Sequence, residues 1–225
     1  MNPRPHIYLL LDRSGSMASM VCDVIGGFNT FLDEQRALSD DARMTLVQFD
    51  SQDPQEVLVS AAPLARVRHL SPRTFQPRGG TPLLDATGRL IARAAVRQEE
   101  RRVLGKRAEE IIFVTITDGH ENQSVEYSKT AIMRLVAEKQ VAGWTFVYLG
   151  AGLDAYGEAG GLGYDMRSSL AWAPDGTGAR AAFADLSRAT TARRQKMAAG
   201  APIDKADYFE GRKDAEADRD RRHGR

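Results

Sequence analysis

Two stretches of this chain, HIYLLLD (residues 6–12) and EEIIFVTITDG (residues 109–119), are continuous apolar runs halted by an aspartate. A run that is continuous rather than alternating belongs to a strand covered on both faces. Such strands need helices on each side of their sheet. The rest of the chain supplies them. From Val21 the apolar residues Val21, Val24, Ile25, Phe28, Phe31 and Leu32 fall on one helical face. The segment PLLDATGRLIARAAVRQEERRV (82–103) is helical by composition and period, with Pro82 in its first turn and Thr81 as the expected N-cap.

RMTLVQFD (43–50) and QEVLVSAAPL (55–64) read as two strands joined through the turn-rich SQDPQ. That connection is too short for a helical crossover, so antiparallel pairing is expected. A helix over 128–139, the strand WTFVYLG (144–150), a strand in SSLAWAP (168–174) and a last helix over 176–195 follow. Alternation of this kind predicts a doubly wound α/β sheet. Its ligand site should lie beyond the carboxyl ends of the strands.

The residues at those ends share one chemistry. Asp12, Ser14 and Ser16 follow the first strand, Asp118 follows the run that repeats it, and Gly79-Gly80-Thr81 opens a helix between them. Two carboxylates and three hydroxyls are hard oxygen donors, suited to a small cation such as Mg²⁺ or Mn²⁺ that keeps several waters. Each piece alone has a plainer reading. A serine after a strand is often a helix cap, Thr81 before proline is a credible cap, and Asp118-Gly119 is a common turn. Their conjunction at three helix-side mouths favours a site.

Other polar residues read more simply. His120 and Glu121 are expected as exposed loop residues on the rim, Asp50 as a turn residue, and Asp85 as an acid placed in a helix's first turn. Trp144, Phe146 and Tyr148 alternate along a strand and should pack. The glycine-rich GAGLDAYGEAGGLG (150–163) lacks the G-x-G-x-x-G register, no G-K-[ST] P-loop occurs, and a loop with a short helix is expected there.

Composition narrows the class of protein. A length of 225 residues and an apolar fraction of 42% suffice for one large domain, here assigned to 1–203. A net charge of +1 gives no electrostatic case for nucleic acid or an anionic membrane. Cys22 is the only cysteine, which excludes an internal disulfide and a thiolate metal site. The N-terminal apolar run is too short for a signal peptide, and no stretch approaches the roughly 20 residues of a membrane span. A soluble, cytoplasmic protein is expected. Residues 204–225 are almost wholly charged, with seven basic residues from Lys205 to Arg225 matching seven acidic ones, and are expected to form a solvated, disordered tail.

Taken together, DRSGS after a buried strand, GGTPL at a helix start and VTITDGHEN resemble the metal-ion-dependent adhesion site (MIDAS) of von Willebrand factor type A (vWA) domains. The resemblance runs in the family's order over Pro5 to Arg193. It implies a Rossmann-like, doubly wound, mostly parallel sheet with one antiparallel edge strand and helices on both faces. It also implies that Ser14 and Ser16 bind a divalent cation directly. Thr81 would bind directly or through water, and Asp12 and Asp118 through water or hydrogen bonds to the hydroxyls. Mg²⁺ or Mn²⁺ is the expected ion, with Ca²⁺ a third candidate. One coordination position would stay open for an acidic side chain of a partner.

The function implied is a metal-dependent protein–protein interaction module, not an enzyme. It would be an adaptor or scaffold in the bacterial or cellular interior, in the family often alongside AAA+ ATPases, with no nucleic acid or membrane involved. The alternative is a Mg²⁺-dependent phosphoester hydrolase of haloacid-dehalogenase type. That chemistry needs a second aspartate two positions after the first, where this chain has Ser14. No G-x-S-x-G elbow supports a serine hydrolase.

Overall fold

The computed structural model describes residues 2–152 and 154–223. Among them run strands β1 (Arg4–Asp12), β2 (Arg43–Phe49), β3 (Glu56–Pro63), β4 (Glu109–Thr117), β5 (Thr145–Ala151) and β6 (Ser169–Trp172). The helices are α1 (Val21–Arg36), α2 (Leu83–Val103), α3 (Lys129–Val141), α4 (Ala155–Gly161), α5 (Gly176–Ala199) and α6 (Asp214–His223). The sheet order is β3-β2-β1-β4-β5-β6, parallel throughout except for the antiparallel β2–β3 edge pair. This is the Rossmann-like architecture expected from the chain.

Alternate side chains of the buried strands feed two cores. Ile7, Leu9 and Leu11 of β1 face α1 and α5, meeting Phe28, Phe31 and Phe183. Tyr8 and Leu10 face the other way, with Leu90, Ile91 and Ile132 of α2 and α3. The predicted face of α1 is the one used: Val24, Phe28, Phe31 and Leu32 are buried, and Val21 and Ile25 pack partly against them. Trp144, Phe146 and Tyr148 are core residues, as expected. Short helix α4 occupies the glycine-rich segment.

Strands β1 and β4 are neighbours, and their register sets Leu11 beside Ile116. Their carboxyl ends therefore finish level, which brings Asp12 to Thr117 and Asp118. From this pair the chain winds outward in both directions, so the two ends flank the crevice where doubly wound sheets bind ligands.

Residues 204–223 depart from the expected disordered tail; Arg225 lies outside the described residues. Tyr208 and Phe209 are 2% and 0% exposed and join the core under α5. The Tyr208 hydroxyl lies 2.7 Å from Thr190 Oγ1, and the buried Asp185 carboxylate accepts the Ala215 N–H at the start of α6. The charge run hid two signals. One was an aromatic anchor, and the other was opposite charges at helical spacing, such as Asp218 with Arg221 and Arg222. The helix over 176–195 is accordingly not the last. Phe209→Ala is expected to cost about 3–5 kcal/mol, read from urea unfolding; no change in midpoint would return the segment to solvent.

At the opposite, amino end of the sheet sits a buried ionic knot. His6 Nδ1 lies 2.9 Å from Glu109 Oε2, and Nε2 lies 3.0 Å from Thr45 Oγ1. Arg97 holds the same carboxylate through two bonds. Burial outweighs the neighbouring carboxylate at His6 and keeps its ring neutral, below the ordinary 6.5. Glu109 resists burial through His6 and Arg97, which hold it at about 2. Both depressions carry one sign, because the unfolded chain takes up each proton at higher pH than the folded chain does. Stability should be full above the ordinary histidine range and decline as pH falls. The decline runs first through the range of His6, then between 4.5 and about 2 through that of Glu109. Thermal unfolding against pH should show both phases, and His6→Gln should remove the one nearer neutrality.

Candidate metal centre

The loop after β1 turns sharply because Asp12 organises it. Asp12 Oδ1 accepts the Ser14 N–H at 2.7 Å, and Oδ2 accepts the Thr117 hydroxyl at 2.5 Å. The Ser14 and Ser16 hydroxyls are 3.0 Å apart, and Ser16 donates to Asp118 Oδ1 at 2.7 Å. Since the Ser16 proton goes to Asp118, Ser14 is the donor of the pair. A short chain of hydroxyls thus links the two strand ends. Neither serine side chain caps the helical turn that follows, which removes the plainer reading of both.

Thr81 reaches the same place from the third segment. A Cβ on Gly119 would stand 3.0 Å from Thr81 Oγ1, 3.6 Å from Ser16 Oγ and 3.8 Å from Asp12 Oδ2. Three oxygens from two segments, with Gly119 of a third, therefore surround one small space, which the missing side chain of Gly119 leaves open. All five predicted residues, Asp12, Ser14, Ser16, Thr81 and Asp118, are brought together.

The expected capping role of Thr81 is not observed. Helix α2 starts at Leu83 without a side-chain cap from its own segment. Its first free N–H groups are met instead from the loop after β4: Leu84 by Glu121 Oε2 at 2.8 Å, and Asp85 by Ser124 Oγ at 3.1 Å. With the cap supplied across the loop, the Thr81 hydroxyl is left for the cluster. Asn122 fixes the backbone of Thr81, accepting its N–H at 2.9 Å and donating to its carbonyl at 3.1 Å. Asp85 in turn accepts the N–H groups of Val125, Glu126 and Tyr127.

Loop 50–53 ties the other two segments together. Asp50 is fully buried and its Oδ2 accepts both Arg13 Nε at 2.8 Å and Arg78 Nε at 2.9 Å. Gly15 N–H bonds Gly79 C=O at 3.0 Å, and Gly80 N–H bonds Ser51 Oγ at 2.9 Å. Gly79 has φ +64°, and a Cβ there would meet Ser51 Oγ at 2.4 Å, so glycine is needed twice over. Asp50 is a turn residue as expected, and one on which two guanidiniums converge.

The electrostatics fit a cation. Asp12 is 0% exposed, and burial pushes its carboxyl up to about 7 against the hydrogen bonds from Thr117 and Ser14. Asp118 is raised by burial too, with Ser16 opposing. Among the described residues neither acid has a lysine or arginine partner, since Arg13 and Arg78 are turned to Asp50. Ser16 at the mouth is exposed. A buried carboxylate without a counter-charge, facing hydroxyls across a gap, suits a hard divalent ion.

The sequence reading passed over Glu121 as cap, Asn122, Thr117 and the Arg13–Asp50–Arg78 link. Thr117 alone carried a signal, as a hydroxyl one residue before the second strand-end acid.

No protein-family model matches the sequence, and no curated protein matches it. Solved structures do match the fold. Proximal thread matrix protein 1 from the mussel byssus aligns over 83% of this chain with a TM-score of 0.56 and 14% identity. The present chain spans 46% of that protein's chain. Another structure of the mussel protein, with a zinc-occupied MIDAS motif, aligns over 84% of this chain and 46% of its own, at TM-score 0.52 and 12% identity. The SpRpn10 VWA domain aligns over 81% of this chain and 95% of its own, at TM-score 0.54 and 12% identity. Manganese-loaded Plasmodium vivax TRAP protein aligns over 80% and 72%, at TM-score 0.51 and 17% identity. At these identities the likeness is one of fold.

Gly119→Ala should fill the gap with a methyl group and leave the strands untouched. Its expected effect is at least a tenfold loss of Mn²⁺ affinity with the metal-free melting temperature unchanged, measured by titration calorimetry and thermal unfolding.

Proposed function

We propose that this chain is a divalent-metal-dependent protein–protein interaction module, an adaptor or scaffold of vWA type. Ser14, Ser16 and Thr81 would hold Mg²⁺ or Mn²⁺, with Ca²⁺ a weaker candidate, and Asp12 and Asp118 would orient those hydroxyls and supply negative charge. The observation that carries the reading is the convergence of Thr81, Ser16 and Asp12 oxygens on the space beside Gly119, with no basic residue among the described residues paired with the acids. The zinc and manganese in two of the fold's counterparts, one of them in a MIDAS motif, support it.

When bound, the ion supplies an electrophilic centre for an outside oxygen ligand. The chain's own residues do the rest. Asp12 holds the Ser14 backbone and Thr117, so the loop keeps its curl. Asn122 and Gly79 present Thr81, and Ser16 at the exposed mouth marks where a partner enters. An ion with few direct carboxylate ligands stays attractive to one from outside, so the partner is expected to contribute an aspartate or glutamate. An ATPase assembly of the AAA+ class and a cytoplasmic setting complete the proposal. No helix among the described residues is long and apolar enough to cross a membrane.

Phosphoester hydrolysis is less well supported. An aspartyl nucleophile must be presented to substrate, whereas Asp12 is fully buried with both oxygens accepting hydrogen bonds.

Mg²⁺ or Mn²⁺ is expected to raise the melting temperature of the wild-type chain, and Ser14→Ala should abolish the rise. Partner capture from a lysate should fail with chelator and return on adding Mg²⁺. An equal thermal shift in both proteins would sink the metal assignment, and chelator-resistant capture would sink the role of the ion in binding. Asp12-dependent turnover of a generic phosphoester would favour the hydrolase.

A further inference from the structure

A second set of donors meets at the start of α4. Asp154 and Glu158 stand one helical turn apart and so share a face, and His120 comes across from the loop after β4. One ligand atom from each lies within 4.8 Å of the others. His120 Nδ1 is 3.0 Å from Glu158 Oε1. Two donors bound at about 2 Å to a tetrahedral zinc ion stand about 3.3 Å apart, so this pair is already near ligating distance. Among the described residues, neither carboxylate is paired with lysine or arginine; the one ion-pair partner of Glu158 is His120 itself.

An independent observation comes from below. Tyr148 is 1% exposed, and its hydroxyl makes no hydrogen bond to a described residue. Its ring runs over Gly150 toward α4: a Cβ on Gly150 would meet Tyr148 Cε1 at 2.6 Å and Ala155 Cβ at 2.8 Å. Burial first, and then the charges of Glu158, Tyr164, Asp12 and Asp154, raise its pKa well above the ordinary range. The phenol therefore stays protonated beside two acids of the cluster. A hydroxyl with no protein partner is free to bond a water, and a water carried on an ion above it would fill that place.

We propose that His120, Asp154 and Glu158 form a second divalent-metal site, chosen by its nitrogen donor for a borderline transition ion such as Zn²⁺, with Tyr148 facing a water on that ion. One imidazole and two carboxylates with open positions match zinc, cobalt or iron better than magnesium. The oxygen-only cluster at Ser14 has the opposite preference. His120 would bind through the lone pair of Nδ1 with its proton on Nε2, and Glu158 then exchanges a hydrogen bond for the ion. This site does not depend on the reading of the first one.

The test is zinc titration of the full chain by calorimetry in excess Mg²⁺, which occupies the oxygen cluster and leaves a nitrogen-containing site free. Wild type and Ser14→Ala should each bind one zinc ion per chain with similar affinity. His120→Ala and Glu158→Gln should each weaken that event at least tenfold. Cobalt(II) should give visible absorption bands in wild type that His120→Ala loses, with circular dichroism confirming that each variant is folded. Equal zinc affinity in wild type and His120→Ala overturns the proposal. So does zinc binding abolished by Ser14→Ala but kept by His120→Ala, or no zinc binding at all. If Ser14→Ala leaves both magnesium and zinc binding unchanged while His120→Ala removes zinc, the first-site reading fails and this one stands.

Discussion

Asp12 is a carboxylate buried at the end of a central strand with no guanidinium or ammonium of the described residues paired with it, and much of the surrounding structure follows from that. Its two oxygens are the fixed points from which the loop after β1 is hung, through the Ser14 backbone, and to which β4 is tied, through Thr117. Arg13, the next residue in the chain, and Arg78 are held elsewhere, because Asp50 binds both. A buried acid left in this condition is destabilising unless something outside the chain compensates it. The surrounding hydroxyls, and the glycine that keeps space among them, leave room for such compensation.

The two ends of the sheet are organised in opposite ways. At the amino end, Glu109 has the guanidiniums of Arg97 and Arg101 and a hydrogen bond with the neutral His6 ring, and its charge is fully satisfied. At the carboxyl end, Asp12 and Asp118 have hydroxyls and, among the described residues, no cationic partner. The same strands, β1 and β4, carry both arrangements. Stability is thereby concentrated where no ligand is expected, and reactivity toward an ion where the strands open.

Much of this was legible before the fold was seen, and the reasons are physical. Continuous apolar strands announce burial on both faces, and acids and hydroxyls at their ends stand out because nothing in a core explains them. The antiparallel edge was legible because five or six residues cannot carry a crossover. Contacts between distant loops were not legible. Nothing in the local sequence of α2 shows that its first N–H groups are met by Glu121 and Ser124, nearly forty residues on, so Thr81 read as its own helix's cap. Likewise the charged segment after 204 concealed Tyr208 and Phe209, whose burial depends on the Thr190 hydroxyl and the Ser168 side chain from elsewhere in the chain.

The capping of α2 from a neighbouring loop has a mechanical side. Residues 121–127 are bonded to the first turn of α2 through Glu121, Ser124 and Asp85, and Asn122 grips Thr81 on both of its backbone groups. Loop 13–16 is bonded to Gly79. A load on any one of these loops is therefore shared over several hydrogen bonds that act side by side. Bonds loaded side by side fail together rather than one after another, so the loops around the five oxygens move as one stiff unit with the first turn of α2.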